Sequence, residues 1–513
     1  MSLGRAIFTV GGWTMASRIA GLAREMVVAD YLGAGLVADA FLVAFRFPNM
    51  FRALFAEGAF NAAFVPQFAA KLEGEGRDAA QHFAEQAYSV LFCLLLAVVI
   101  LMELAMPWAI YGLAPGFDDY PGKIELAAEL SRITFPYLLF ISLVSLQSGV
   151  LNALGRFAAA AGTPVLLSLV SMALLVALAP IAPTVGHAAA WGVFVSGVAQ
   201  FLWLVHSMRR AAMRLRWVRP ALTPEVKSLL KKIVPGAVGA GVYQVNLLIN
   251  TVIASSVANG AVSYLNYADR LNQLPLGVVG IAIGTALLPT LSRQLRAGDL
   301  AAASESQNRA MEFGLALALP AAFALSVLGH PIIAVLFEHG AFTAANTDAV
   351  TPALAAFSAG LPAYVLIKVL TPSFFARHDT RTPVKVAMAA MALNVALNLA
   401  LMHPLKHVGM ALATAIAAWF NLALLGWHLK RLGHFALDAR LKARFWRILG
   451  SCLAMSGALW AAQTALAPLW AQSRLLTLLL LIGLGLAVYG GAMVLSGGMT
   501  QGELRAALRR KAD

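Results

Sequence analysis

Charged side chains stand inside stretches of this sequence that are otherwise alanine, leucine, valine and phenylalanine. Arg18, Arg24 and Glu25 lie in the first apolar segment, Asp39, Arg46, Arg52 and Glu57 in or beside the second, Asp269 and Arg270 in the eighth, and Lys368 in the tenth. An ionisable residue at the centre of a bilayer costs roughly 2.5–3.5 kcal/mol, so a set this large must face a hydrated interior or pair internally. The arginine guanidinium is planar, donates paired hydrogen bonds and keeps its charge at any physiological pH, which suits it to phosphate. A cluster of Arg18, Arg24, Arg52 and Arg270 therefore prefers a diphosphate to a neutral sugar or a cationic drug. For Arg46 and Lys368, snorkelling or a structural ion pair is an equal explanation.

The spacing adds detail. Asp39 and Arg46 are seven apart and share a helix face, as do Arg18 and Glu25, so part of the charge can be neutralised locally. Pro48 is expected to break the register before Arg52 and, with Gly33, Gly35 and Gly58 nearby, to let the second helix aim Arg52 independently of the Asp39 face. Pro275 and the run Gly277, Gly280 and Gly284 offer the eighth helix the same freedom.

The elements carrying these charges belong in lipid. Of 513 residues, 60% are hydrophobic and only 12% charged, with a mean hydropathy of +0.76, which leaves too little polar surface to cover a water-soluble globule. Apolar stretches such as Ser89–Tyr111, Leu166–Ala182, Met388–Met402, Ile448–Leu466 and Leu475–Leu495 recur along the chain, each long enough to cross about 30 Å of hydrocarbon. The first segment, Ala6–Val28, is interrupted by Arg18 and Arg24 and lacks a convincing cleavage site, so it is expected to stay as helix one. Cys93 and Cys452 form neither a disulfide framework nor a metal site and are expected to be packing residues.

The excess of 38 Lys and Arg over 24 Asp and Glu sits in alternate loops. Between Arg209 and Lys232, eight basic residues face one acid, Glu225, which marks a cytoplasmic loop. Similar bias surrounds Arg293 and Arg296, the run Arg377, Arg381 and Lys385, the stretch Lys430 to Arg447, and the tail Arg505, Arg509, Arg510 and Lys511. Intervening loops are neutral or acidic, as where Asp118, Asp119, Glu125 and Glu129 outweigh Lys123 and Arg132. Alternation predicts an even helix count with both termini in the cytoplasm, and orientation explains the basic runs better than nucleic-acid binding does.

An offset of 223 residues places Arg46-Phe-Pro-Asn49 on Asp269-Arg-Leu-Asn272, Ala63 on Ala286, Pro66 on Pro289 and Leu72 on Leu295. The identities are few; their agreement in order and hydropathy argues for a repeat. The offset spans six helices, so the copies share one orientation and are related by an axis along the membrane normal. The expected fold is an all-α polytopic membrane protein of about fourteen transmembrane helices. It comprises a six-helix lobe over residues 1–220, a second over 221–432, a central cavity, and two extra C-terminal helices with a basic tail over 433–513.

Asn246 and Asn250 in helix seven, and Asn394 and Asn398 in helix eleven, could line an ion site with Thr414, though interhelical hydrogen bonding is the commoner use. Scattered histidines show no metal-ligand spacing, and there is no phosphate-binding glycine loop with its lysine, so neither a metal nor another cofactor is expected and a nucleotide-driven pump is disfavoured.

Four strings are specific: Ser17-Arg-Ile-Ala-Gly-Leu-Ala-Arg-Glu25, Ala38-Asp-Ala-Phe41, Phe45-Arg-Phe-Pro-Asn-Met-Phe-Arg52 continued by Glu57-Gly-Ala-Phe-Asn61, and Phe64-Val-Pro-Gln67. In these the chain resembles the MurJ (MviN) lipid II flippases of the multidrug/oligosaccharidyl-lipid/polysaccharide exporter superfamily. The resemblance implies a transporter, not an enzyme, that moves the lipid-linked peptidoglycan precursor from the cytoplasmic to the periplasmic leaflet by alternating access. It also implies substrate-binding roles for Arg18, Arg24, Arg52 and Arg270, with Asp39 and Asp269 at nearby acidic positions, and a C-terminal groove for the polyprenyl tail. Lipid II is the implied substrate, bilayer lipids the surroundings, and cell-wall synthesis or division proteins the candidate partners. Asparagines stand where some members carry aspartates in a sodium site, which weakens the case for ion coupling there and leaves the membrane potential as the drive. A multidrug or other lipid-linked oligosaccharide exporter of the same superfamily, and a membrane glycosyltransferase, are the alternatives. The first should carry an acidic or aromatic cavity, the second an acidic catalytic pair.

Overall fold

A computed structural model describes residues 3–52, 60–433 and 435–498, and among these every regular element is helical. Glu57, Gly58 and the basic tail from Arg505 lie outside the described residues. In chain order the α-helices are α1 (Leu3–Leu32), α2 (Leu36–Phe51), α3 (Phe60–Gly74), α4 (Arg77–Leu113), α5 (Lys123–Thr134), α6 (Tyr137–Ala153), α7 (Phe157–Leu178), α8 (Val185–Arg210) and α9 (Pro224–Ser255). They continue with α10 (Ala261–Arg296), α11 (Leu300–Leu336), α12 (Ala344–Phe375), α13 (Arg381–Leu401), α14 (Lys406–Arg431), α15 (Ala439–Ala465), the short α16 (Ala467–Gln472) and α17 (Arg474–Leu495).

Among the described residues ten spans are long and apolar enough to cross a membrane, α5 and α6 forming one of them around the Phe135-Pro136 step. The charged or interrupted helices α1, α2, α3, α9 and α10 fall outside that set. The first segment is helical as α1, and α2 stays helical through Pro48 to Phe51. Gly33 makes the turn between them at φ +61°, where a Cβ would lie 2.4 Å from the Ala341 carbonyl oxygen, so only glycine fits. Polar residues start other helices: Thr223 Oγ1 accepts from Val226 N ahead of Pro224, and Asp299 and Asp438 cap α11 and α15 in the same way.

Two compact units result. One holds residues 1–263 with 339–342, the other 264–338 with 343–513. In the first, α7 packs against α1 and α8, α2 against α5, and α6 against α8. In the second, α12 packs against α11 and α14, and the C-terminal α15 and α17 pack against each other and against α11. Leu328 of α11, Met455 and Leu459 of α15 and Leu481 of α17 form a buried cluster there, and Tyr489 donates from its hydroxyl to the Ala316 carbonyl at 2.7 Å.

The helix bounds carry the repeat more clearly than the identities do. α4 and α11 are both 37 residues and start 223 apart; α8 and α14 are both 26 residues and start 221 apart; α7 and α13 start 224 apart. Cys452 is buried as expected, whereas Cys93 is exposed on α4, a lipid-facing position for a small apolar side chain instead of a packing one.

Candidate anion-binding residues and their surroundings

Arg18 and Arg24 project from α1 and are half-buried. Arg24 donates to Glu25 at 2.8 Å, and its guanidinium carbon lies 5.9 Å from the centre of the Phe45 ring of α2. An aromatic face beside a guanidinium adds electrostatic attraction without removing its charge. Arg18 has no hydrogen bond or ion pair among the described residues. Arg52 follows the last turn of α2, and Asn49 one turn back accepts from its Nε at 3.0 Å and from a terminal nitrogen at 2.9 Å. The Asn49 amide oxygen therefore orients the guanidinium from within the same helix end.

Asp39 lies at the opposite extreme. It has no exposed surface, nor has Lys123, the first residue of α5. One carboxylate oxygen accepts from Lys123 Nζ at 2.8 Å and Gly260 N at 2.7 Å; the other accepts from Ser263 N at 2.8 Å and Ser263 Oγ at 2.5 Å. Gly260 directly precedes α10 and Ser263 lies in its first turn, so Asp39 satisfies donors at that helix start from another helix. Lys123 is completed by Asn259 Oδ1 at 2.8 Å and by the Phe117 and Tyr120 rings at 4.1 and 5.0 Å. A charge pair taken wholly out of water is tolerable only when its remaining hydrogen-bonding capacity is met in this way.

The expected local pairs do not form. Asp39 bonds Lys123 instead of Arg46, which donates to Thr251 Oγ1 of α9 at 2.9 Å, and Glu25 is bonded by adjacent Arg24 and not by Arg18. The reason is axial distance, since residues seven apart share a face but are separated by about 10.5 Å along a helix. Sequence reasoning missed Lys123, Asn259 and Ser263. Lys123 had the appearance of one base among loop acids, and only the Asn-Gly turn ahead of α10 hinted at a cap.

In the second unit Asp269 and Arg270 occupy consecutive positions of α10, both half-buried, and Gln273 one turn on donates to the Asp269 carboxylate. Asn394 Nδ2 of α13 donates to Thr414 Oγ1 of α14 at 3.3 Å, an interhelical hydrogen bond, and Asn398 Nδ2 donates to Asn394 Oδ1 at 3.3 Å within α13.

The family model described as lipid II flippase MurJ matches residues 28–481. A probable lipid II flippase MurJ of Rhizobium meliloti is 46% identical, covering 100% of this chain and 97% of that protein. The lipid II flippase MurJ of Burkholderia cenocepacia is 37% identical over 90% of each. A solved lipid II flippase MurJ in an inward closed conformation superposes with a TM-score of 0.79 at 25% identity, covering 94% of this chain and 97% of that one. An inward-facing multidrug transporter of the MATE family, at a TM-score of 0.68 and 15% identity over 81% of this chain, shares the fold. With helices, repeat and arginine-bearing strings in agreement, the chain belongs to the MurJ family of lipid II flippases.

Proposed function

We propose that this multi-pass membrane protein is a lipid II flippase that moves the diphosphate-linked headgroup across the bilayer while the lipid tail stays in hydrocarbon. Arg18, Arg24 and Arg52 of the first unit and Arg270 of the second neutralise the diphosphate. The observation that carries this reading is the way the α1 and α2 arginines are held. Asn49 orients Arg52, Glu25 and the Phe45 ring flank Arg24, and Arg18 has no ion pair among the described residues, so guanidinium groups are held in place on helices that are otherwise apolar. Guanidinium groups in that state exchange water for phosphate oxygens through charge-assisted hydrogen bonds, stronger in an environment of low dielectric constant.

Asp39 acts through architecture: saturated by Lys123 and the first turn of α10, it holds the helix that carries Asp269 and Arg270. Asp269 sits beside Arg270 and tunes its availability. Both termini lie in the cytoplasm, by the alternation of basic and acidic loops. No bond is made or broken; movement follows from alternating access between repeated halves. The membrane potential drives it, at about 2.3 kcal/mol per charge per 100 mV. Cell-wall synthesis or division proteins dock on the cytoplasmic loops.

The test is complementation. Cells depleted of the native protein and supplied with Arg52→Ala or Arg270→Ala should lose outward exposure of labelled lipid II, read by an added enzyme that cleaves only outward-facing headgroups. Correct insertion is verified by the amount of folded protein in the membrane. Full activity in both variants would overturn the site, and unchanged headgroup exposure on depletion would overturn the substrate.

A further inference from the structure

A cavity of about 680 Å³ opens in the first unit, away from the arginines of α1 and α2. It lies between α4, α6, the end of α8 and the segment that follows α8. Its volume is in the range that holds small ligands. Residues 211–218, a turn at 211–212 followed by a stretch without regular secondary structure, are fastened to α4 by four side chains one turn apart: Arg77 donates to the Ala211 carbonyl, Gln81 Nε2 donates to the Arg214 carbonyl at 2.9 Å, Glu85 Oε1 accepts from Arg216 N at 3.2 Å, and Ser89 Oγ accepts from Val218 N at 3.1 Å. Because these bonds hold the backbone, the Arg214 and Arg216 side chains are presented to the cavity from a fixed support, with Arg209 of α8 beside them.

Two features go beyond what topology requires of basic loop residues. The guanidinium groups of Arg209, Arg214 and Arg216 have neither a carboxylate nor any other hydrogen-bond partner among the described residues. Gln147 of α6, only 2% exposed, also lines the cavity, and its Oε1 is buried with no partner. A buried amide oxygen left without a donor costs about 1–3 kcal/mol, and a bound molecule bearing a hydroxyl removes that cost. Phe201, Leu202 and Val205 of α8 add apolar lining, and Leu202 and Trp203 continue onto the exposed face of α8.

We propose that this cavity binds the headgroup of an anionic phospholipid from the surrounding bilayer. The phosphodiester sits on the three guanidinium groups, a headgroup hydroxyl donates to Gln147, and an acyl chain follows the exposed apolar face of α8. Arginines unmatched by acids select the anion, and the apolar wall continuous with a lipid-facing helix selects a lipid over a soluble phosphate.

Native mass spectrometry of the full-length protein in detergent, titrated with phosphatidylglycerol, tests this. The wild type should retain one phosphatidylglycerol, and the triple variant Arg209→Ala, Arg214→Ala, Arg216→Ala should bind it on the order of a hundredfold more weakly. The triple variant keeps every backbone attachment of the strap, so its fold is preserved. Gln147→Leu should weaken binding roughly fivefold, and Arg210→Ala, beside the cavity but outside its lining, should leave it unchanged. Retention within about twofold of wild type in the triple variant would overturn the site. So would equal loss in Arg210→Ala, equal retention of phosphatidylcholine, or glycerol phosphate binding as tightly as phosphatidylglycerol.

Discussion

The segment that follows α8 in the first unit and the segment that follows α14 in the second are each tied back to a long helix, α4 and α11 respectively, and the two ties use different chemistry. In the first unit the bonds from α4 reach mainly backbone groups of residues 211–218. In the second, Asn308 holds the Ala436 carbonyl at 2.9 Å and Asp438 N at 3.3 Å, and the remaining bonds are ionic. Arg309 bonds both Glu312 and Asp438, and Arg440 and Arg444 converge on Glu312. Glu85 and Asn308 are related by the 223-residue repeat offset, as are Ser89 and Glu312. The same helix position therefore carries out the same attachment. What differs is the fate of the arginines: Glu312 and Asp438 neutralise those of the second unit, whereas those of the first remain available to face a cavity.

This contrast can be broken experimentally, and the largest effect is expected at Glu312. Glu312→Gln leaves three guanidinium groups around one neutral amide and should cost about 2–3 kcal/mol, less than a fully buried pair because Arg440 is half-exposed. Thermal unfolding in detergent and proteolysis between residues 432 and 438 would report it. The stability of the wild-type tie should also fall with added salt. Glu85→Ala removes the acceptor for Arg216 N and the Gln81 amide and should cost about 1–2 kcal/mol, with little response to salt. Equal costs and equal salt responses at the two sites would erase the distinction.

The smallest effect concerns the helix after the fifth span's turn, where the offset pairs Arg156 with Asp379. Arg156 donates to the Arg210 carbonyl at 3.1 Å. Asp379 instead accepts from Thr382 N at 2.9 Å and Arg381 N at 3.1 Å, and the hydrogen bonds from Thr382 foremost hold its carboxyl below the ordinary aspartate range. A lowered folded pKa means that its contribution is complete above the unfolded value of about 3.9 and disappears as pH falls through the lower folded value. Amide exchange in residues 381–384, corrected for intrinsic rates, should therefore accelerate below about pH 4, while residues 157–160 show no such step. Parallel profiles would show that the acid makes no difference between the two helix starts.

Much of the architecture was legible because the bilayer enforces it: apolar length marks the spans. The repeat was faint in identities because lipid-facing positions accept any large apolar residue, yet the lengths of α4 and α11 preserve it. At the candidate site, the arginines could be read because a charge in an apolar run is costly wherever it points. Their partners could not. Asp39 finds Lys123 at a separation of 84 residues and Ser263 at 224, and no local spacing encodes either distance. Gln147 was equally silent, since a lone amide in a helix gives no sign of being left without a donor.

The Asp39 junction also sets a clock on biogenesis. Its carboxylate is complete only when Ser263 has been synthesised, 224 residues after Asp39 itself. At roughly 5–20 residues per second, translation needs about 10–45 s to supply those residues. Through that interval α2 carries an acid whose final ligands do not yet exist, so the first helices must wait, hydrated or shielded by the insertion machinery, until the start of α10 has been made.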